Sequence, residues 1–369
     1  MGETVLFSCG DVSGDLYVGE MVRLLRFSFP KTRVFALGGE ESKNAGAELL
    51  YPTVTLSTFG LLELIGSLRR WKQVWDLTST FIRDHRPRVV VLVDNPGFNF
   101  RLARFCQKLG IPVVYFAPPQ VWAWGRKRGV SLSQLADWIF PLFPWEIPYF
   151  SSGKARVEWA GHPMVELFQR SEGLRKKAPD VPWVVLLPGS RKAEAKRYLA
   201  VVRACLEKSS ALFAPYRLVA IAASGELREL IERELRALPV TVKTKEELPL
   251  VLRSARLAIA CAGTVTLEVA LAGVPQIIVY RLSRFTFWVA RMVFRGSLVG
   301  LPNIVLGEQV YPELIQDHFS WWNLRQEVEK ILQNPAIHEK SLSWAESIRE
   351  RLDRGNPFER VVEVLGTYL

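Results

Sequence analysis

The sequence predicts an α/β protein of two Rossmann-like parallel-sheet domains facing each other across a cleft. Three observations carry that prediction. β-Branched and apolar runs of strand length alternate with helical patterns from the first residues onward. The alternation breaks once, at a charged stretch containing proline, and then restarts. With 369 residues, 49% of them apolar, the chain can build two cores.

In the first half the strand-like runs are TVLFSCG (Thr4 to Gly10), TRVFALGG (Thr32 to Gly39), RVVVLVD (Arg88 to Asp94) and IPVVYFAP (Ile111 to Pro118). An unbroken run such as VVVLV fits a strand buried on both faces, as parallel sheets require. RSEGLRKKAPDVP (Arg170 to Pro182) reads as the linker. Beyond it come WVVLL (Trp183 to Leu187), YRLVAIAA (Tyr216 to Ala223), LPVTVKT (Leu238 to Thr244), ARLAIACAG (Ala255 to Gly263) and VPQIIVYR (Val274 to Arg281). The last fifty or so residues are helical in pattern, broken at Asn334-Pro335 and Gly355-Asn356-Pro357. These patterns predict a first domain over residues 1–168 and a second over 169–345. A terminal helix, 346–369, is expected to pack back on the first domain.

The 48 basic and 37 acidic residues leave a net charge of +11, which favours a phosphate-bearing substrate, a nucleic acid or an acidic membrane surface as partner. The basic residues are dispersed and no recognition motif is present, so nucleic acid is not expected. Four cysteines, Cys9, Cys106, Cys205 and Cys261, lie far apart with no CxxC, which suggests neither a disulfide framework nor a zinc site. No stretch reaches the roughly 18 to 20 uninterrupted apolar residues of a membrane span, and Met-Gly-Glu runs straight into a strand. A cytoplasmic protein is the expectation.

Four turns at strand ends carry chemistry. Asp94 leaves VVVLV into Asn-Pro-Gly, so it serves either as a turn-former or as a carboxylate pointing into the crevice. Gly189, Ser190 and Arg191 follow WVVLL and open a helix, where a glycine, a capping serine and a guanidinium suit a phosphate. By itself that segment reads first as an ordinary capped turn with a surface arginine. After Cys261, Gly263 and Thr264 offer amides at a second helix start, and Glu268 shares a face with Thr264. Glu268 suits ribose hydroxyls, or else merely complements the helix dipole. Two such loops in one domain favour a shared nucleotide-diphosphate site. The loop Cys9-Gly-Asp-Val-Ser-Gly-Asp15 matches neither G-x-G-x-x-G nor a P-loop. It remains a polar turn suited to a polar acceptor, with Ser13 capping the next helix as the plainer reading.

Two segments suit a lipid surface. In Arg284 to Arg295, the arginines Arg284, Arg291 and Arg295 fall within about 40° of arc at helical period, with Phe287 and Trp288 among the apolar residues around them. Phe59 to Ile65 is apolar and is followed by Arg69-Arg70-Trp71-Lys72. A buried helix with a basic edge would show the same pattern.

Taken in order, GDVSGD, VDNPGFN, PPQVWAWGRKR (Pro118 to Arg128), GHP (Gly161 to Pro163), LLPGSR, AGTVTLE, RFTFW and LPNIVLG followed by PEL resemble the lipid-A-disaccharide synthases over nearly the whole chain. LLPGSR and AGTVTLE have looser cousins across the GT-B glycosyltransferases. The resemblance implies a GT-B fold and an inverting transfer, without metal or cofactor, from UDP-diacylglucosamine to the 6-hydroxyl of diacylglucosamine 1-phosphate. It implies a peripheral enzyme on the cytoplasmic face of the inner membrane, whose surface is anionic; a homodimer is left open.

By the same resemblance Arg191, Gly263, Thr264, Thr266, Glu268 and Asn303 fall on donor-site positions, beside Gly189 and Ser190. Ser13, Gly14 and Asp15 fall in the acceptor-side loop, and Asp94 is the candidate base. Gln120, Trp122 and Trp124 belong to a family string of unassigned role, and His162 reads at least as readily as structural. Three positions depart from the family: Asp11 for a usual Glu, Gly97 for a second Asp, and Ala262 for a Ser. Rival readings are another UDP-sugar enzyme, such as a 2-epimerase or the peptidoglycan N-acetylglucosaminyltransferase, and a non-catalytic UDP-sugar or lipid-binding relative.

Overall fold

The computed structural model describes residues 3–56, 64–172, 181–282 and 298–369. The chain divides into two units, Met1–Pro163 with Arg354–Leu369, and Met164–Asp353.

The first unit is built on β1 (Thr4–Ser8), β2 (Arg33–Leu37), β3 (Glu48–Tyr51), β4 (Val89–Val93), β5 (Val113–Phe116), β6 (Trp138–Phe140) and β7 (Arg156–Val157). They form one parallel sheet in the order β3-β2-β1-β4-β5-β6-β7. Every residue of β1 and β4 is buried, as the unbroken apolar run of β4 and the apolar centre of β1 demand. The winding reverses between these two strands, so the loops that leave them meet at the carboxyl edge of the sheet, where doubly wound folds bind ligands.

Helices cover the sheet. α1 (Val12–Ser28) follows β1, α2 (Glu40–Asn44) follows β2, α3 (Leu64–His85) precedes β4, and α4 (Pro96–Lys108) follows it. Pro96 at the first turn of α4 suits a position whose amide has no helical partner. α5 (Val121–Trp124) and α6 (Arg126–Leu135) lie between β5 and β6. The last helix, Pro357–Gly366, belongs to this unit and packs on α1. Its Phe358 ring lies 6.0 Å from both Tyr17 and Phe116, and Arg360 forks onto Glu158 at 2.7 and 3.0 Å.

The second unit holds β8 (Trp183–Leu187), β9 (Arg217–Ala222), β10 (Val240–Thr244), β11 (Ala255–Cys261), β12 (Gln276–Tyr280) and β13 (Glu313–Ile315). Their parallel order, β10-β9-β8-β11-β12-β13, reverses between β8 and β11. The helix Pro335–Leu352 stays whole within this unit, burying Ala345, Ile348 and Leu352, so the chain returns to the first unit at Arg354. No glycine or proline interrupts that helix after its first residue, which is why it runs past residue 346.

Candidate active site

Asp94 stands at the reversal point of the first sheet, on the turn between β4 and α4. It and Asn95 both take left-handed backbone angles, with φ of 46° and 43°. Two successive non-glycine residues there are costly, on the order of 1 kcal/mol or more each, and persist only where neighbours enforce them. Asn99 does so. Fully buried, it donates from Nδ2 to the carbonyls of Asp94 (2.9 Å), Val93 (3.2 Å) and Ser8 (3.3 Å), and accepts at Oδ1 from Ser8 Oγ (2.7 Å). Tyr115 adds a 2.6 Å hydrogen bond to the Asp94 carbonyl. Burial, and after it the Asp94 charge, push the Tyr115 hydroxyl well up, so it stays a donor.

These bonds grip the main chain of Asp94, and its half-buried side chain is set at the carboxyl edge by the turn they enforce. The loop after β1 presses against the same turn: a Cβ on Gly10 would come within 2.4 Å of Asn95 Nδ2. That amide nitrogen is buried with no acceptor. Cys9 lies in the field of Asp15, Asp11 and Asp94, which add to burial in raising its thiol.

The acceptor-side loop divides its residues. Asp11, not Ser13, caps α1, accepting from the Gly14 amide at 2.7 Å. An aspartate is the right length for that bond and fits the helix start. Asp15 is spent inward: buried, it accepts from the amides of Gly39 (2.8 Å), Glu41 (2.9 Å) and Ser42 (3.2 Å) and so ties down the start of α2. The expected acceptor ligand is therefore a clamp. Gly14 is buried, with Asp11 Oδ1 2.8 Å and Cys9 Cβ 3.1 Å from where a Cβ would stand. Ser13 is half-buried and lies outside the cap.

Beside this edge Ala117, just after β5, also has a positive φ, 51°. Trp122 donates to Glu146 at 2.9 Å, and Glu146 also accepts the amides of Leu142 (3.0 Å) and Phe143 (3.2 Å). Burial raises Glu146 to about 7 against those bonds. Trp122 is thus fixed by a carboxylate that sequence reasoning passed over. His162 is buried, its ring 5.1 Å from Phe143, and burial lowers it to about 3, so it is a neutral packing group at neutral pH.

In the second unit the loops after β8 and β11 meet at the other reversal point. Tyr198 joins the two strands: its hydroxyl accepts from Leu187 N (3.1 Å) and donates to Ile259 O (2.6 Å). Gly189 has φ 89°, a left-handed angle that favours glycine, and a Cβ there would meet Cys261 at 3.4 Å, an ordinary contact. The helix Lys192–Lys208 has Arg191, not Ser190, at its cap, and among the described residues no side-chain cap bonds its first amides. Ser190 is exposed and the expected serine cap is absent. The exposed Arg191 pairs with Glu194 at 3.2 Å, and both act on Cys261 and Tyr280 at the ends of β11 and β12.

Gly263 caps the helix Thr264–Leu271, again with no side-chain bond to its amides among the described residues. Thr264 is half-buried at that opening. Glu268, one turn on, is half-buried; desolvation raises its carboxyl, partly offset by Lys245, and no hydrogen-bond donor reaches it among the described residues.

Two expected donor ligands have other tasks. Thr266 is buried and its hydroxyl returns to the Gly263 carbonyl at 2.8 Å. Asn303 is buried with its amide fully engaged. It donates to Tyr311 O and Glu313 (both 2.8 Å) and accepts from Val310 N (3.1 Å) and Tyr311 N (2.9 Å). The lipid-facing expectation at Arg284, Phe287, Trp288, Arg291 and Arg295 lies outside the described residues, as does most of Phe59 to Ile65. Among the described residues no helix is long and apolar enough to cross a membrane.

Two doubly wound units, each with its loops gathered at the sheet reversal, define the class as a GT-B fold. Solved structures of that shape include the UDP-GlcNAc 2-epimerase of Neisseria meningitidis bound to UDP-GlcNAc (TM-score 0.67, 14% identity, all of both chains). MurG of Acinetobacter baumannii is another (TM-score 0.55, 14% identity, all of both chains). At such identities the likeness is one of fold. The sequence goes further: it is 30% identical to the lipid-A-disaccharide synthase of Geobacter sulfurreducens over 98% of this chain and 96% of that protein. To that of Coxiella burnetii (strain RSA 331) it is 30% identical over 98% of each. The lipid-A-disaccharide synthetase profile matches residues 5–356, and the chain belongs to that family of glycosyltransferases.

Proposed function

We propose that the protein transfers a diacylglucosaminyl group from its UDP ester to the 6-hydroxyl of diacylglucosamine 1-phosphate, with inversion and without a metal, at the cytoplasmic surface of the inner membrane. The observation that carries the reading is Asp94, held in a strained left-handed turn at the sheet reversal of the first unit. In this mechanism Asp94 takes the proton of the attacking hydroxyl as oxygen bonds to the anomeric carbon and the bond to UDP breaks. The first unit carries acceptor and base, with Ser13 beside the acceptor.

The second unit carries the donor. Arg191 and the uncapped amides after Gly189 and Gly263 stabilise the charge gathering on the departing diphosphate. The Glu268 carboxylate accepts from ribose hydroxyls, and a raised carboxyl with no internal donor is suited to that. A coupled assay of UDP release tests the reading. Release should require both acylated sugars and persist in EDTA, and a rate that vanishes with the chelator would refute the metal-free route. The substitution at Gly97 supports one second reading, a relative that binds UDP without turnover. It predicts UDP binding and no release with authentic substrates.

A further inference from the structure

Two cavities in the first unit open on either side of Gly97, at the first turn of α4. One, of about 350 Å³, lies between α4 and α6 and is lined by Phe100, Arg104, Lys127, Arg128 and Ser131. The other, of about 420 Å³, lies between α3 and α4 and is lined by Trp71, Lys72, Trp75, Phe98 and Arg101. Gly97 borders both, and a Cβ there would meet no atom within 4 Å, so the junction is open.

Their linings differ in kind. The first wall holds three cations and a hydroxyl but no carboxylate, and none of Arg104, Lys127 and Arg128 has an ion-pair partner among the described residues. Concentrated, unbalanced positive charge favours a ligand of more than one negative charge. A phosphate monoester, at about −1.5 to −2 near neutral pH, is such a group. The second wall is aromatic. Trp71 lies 5.2 Å and Trp75 6.1 Å from Phe98, and the Arg101 guanidinium sits 3.8 Å over the Trp75 ring. Such a wall offers broad apolar surface to an aliphatic chain. A ligand filling both cavities carries a dianionic head and an acyl tail, and Gly97 is only three residues beyond Asp94.

We propose that these cavities form the acceptor site: Arg104, Lys127 and Arg128 hold a sugar 1-phosphate, and Trp71 and Trp75 line the path of its acyl chain. The proposal deepens the acceptor side of the function above and rests on it. Equilibrium binding to the full chain in neutral micelles tests it with three probes: diacylglucosamine 1-phosphate, its methyl glycoside lacking phosphate, and phosphatidylglycerol. The wild type should prefer the phosphate over the glycoside by about tenfold or more. Arg104→Gln/Lys127→Met/Arg128→Gln should lose that preference, while Arg104→Lys/Arg128→Lys keeps it and controls for folding. Trp71→Ser/Trp75→Ser should weaken both sugars alike. Equal binding of the two sugars by the wild type, a preference surviving in the triple variant, or displacement by phosphatidylglycerol as effective as by the sugar phosphate would each overturn the proposal. Because the readout is binding, phosphate preference without UDP release would defeat the catalytic reading alone. Turnover in a triple variant with unchanged acceptor KM would defeat this one alone.

Discussion

Replacing Asp94 with asparagine removes the proposed proton acceptor and leaves the turn that carries it. Asparagine takes left-handed angles at least as readily as aspartate, so φ of 46° is retained. The bonds from Asn99 and Tyr115 reach the main-chain carbonyl of residue 94, which the substitution does not touch. The stability change should therefore stay within about 0.5 kcal/mol. Loss of a general base costs ~10²- to 10⁴-fold in rate, or about 3 to 5 kcal/mol of barrier. The assay is UDP release with both acylated sugars saturating, and thermal melts run beside it. Turnover within about threefold of wild type would show that Asp94 is not the base. A collapsed melt would show that the side chain holds the fold instead. Gly97→Asp extends the test, since that position is exposed, has open space around it, and lies in the first turn of α4 where an acid is favoured. In the Asp94→Asn background it should restore about tenfold in kcat, and no gain would mean that position 97 cannot deliver a carboxylate to the reaction.

Other tests separate ligands from clamps. Arg191→Ala should cost about 10²-fold or more in kcat/KM. It should leave the melting temperature almost unchanged, because the Arg191 side chain is 70% exposed where it meets Glu194; an unaltered rate would remove Arg191 from the site. Asn303→Ala should do the reverse, losing about 2 to 4 kcal/mol through stranded partners with little change in the KM for donor. A normal melt with a raised donor KM would make Asn303 a ligand after all. Burial holds His162 near 3, below its unfolded value of 6.5, so its contribution is full above pH 6.5 and is lost as pH falls toward 3. Wild type should thus lose melting temperature relative to His162→Phe between pH 7 and 4; Glu146, whose raised value acts in the opposite direction, is common to both and cancels in the difference.

The strands were legible because parallel strands buried on both faces are written as unbroken apolar runs, and VVVLV and WVVLL became the central strands β4 and β8. The placement of Asp94, Gly189 and Gly263 at sheet reversals then follows from topology. Hydrogen-bond partners distant in sequence were not legible. Asp15 faces the amides of residues 39, 41 and 42, and Asn303 those of 310 and 311. Tyr198 looks like one apolar-face residue of an amphipathic helix, yet it ties β8 to β11. Nothing local distinguishes it. Asn99 had a faint signal, as an asparagine on the buried face of α4 immediately after the turn. The caps failed for a different reason: at both predicted sites a serine stood near the helix start, but a neighbour took the cap position, Asp11 by its better-placed carboxylate and Arg191 by backbone geometry alone.

The division between inward and outward polar groups also says why family strings do not convert directly into ligand lists. GDVSGD supplies Asp15 to clamp α2, AGTVTLE supplies Thr266 to lock its own first turn, and LPNIVLG supplies Asn303 to close a loop. Each clamp fixes the turn or loop in which its string's other residues stand, and those residues cannot hold their geometry without it. Asn99 stands to Asp94 in the same way. Its Nδ2 contacts with the carbonyls of Ser8, Val93 and Asp94 hold the entry to the left-handed pair, and removing them by Asn99→Leu would let that turn relax. Such a variant should lose kcat together with stability, whereas Asp94→Asn should lose kcat alone. If Asn99→Leu kept full kcat while melting earlier, the strained turn would be a feature of the fold and not of the chemistry.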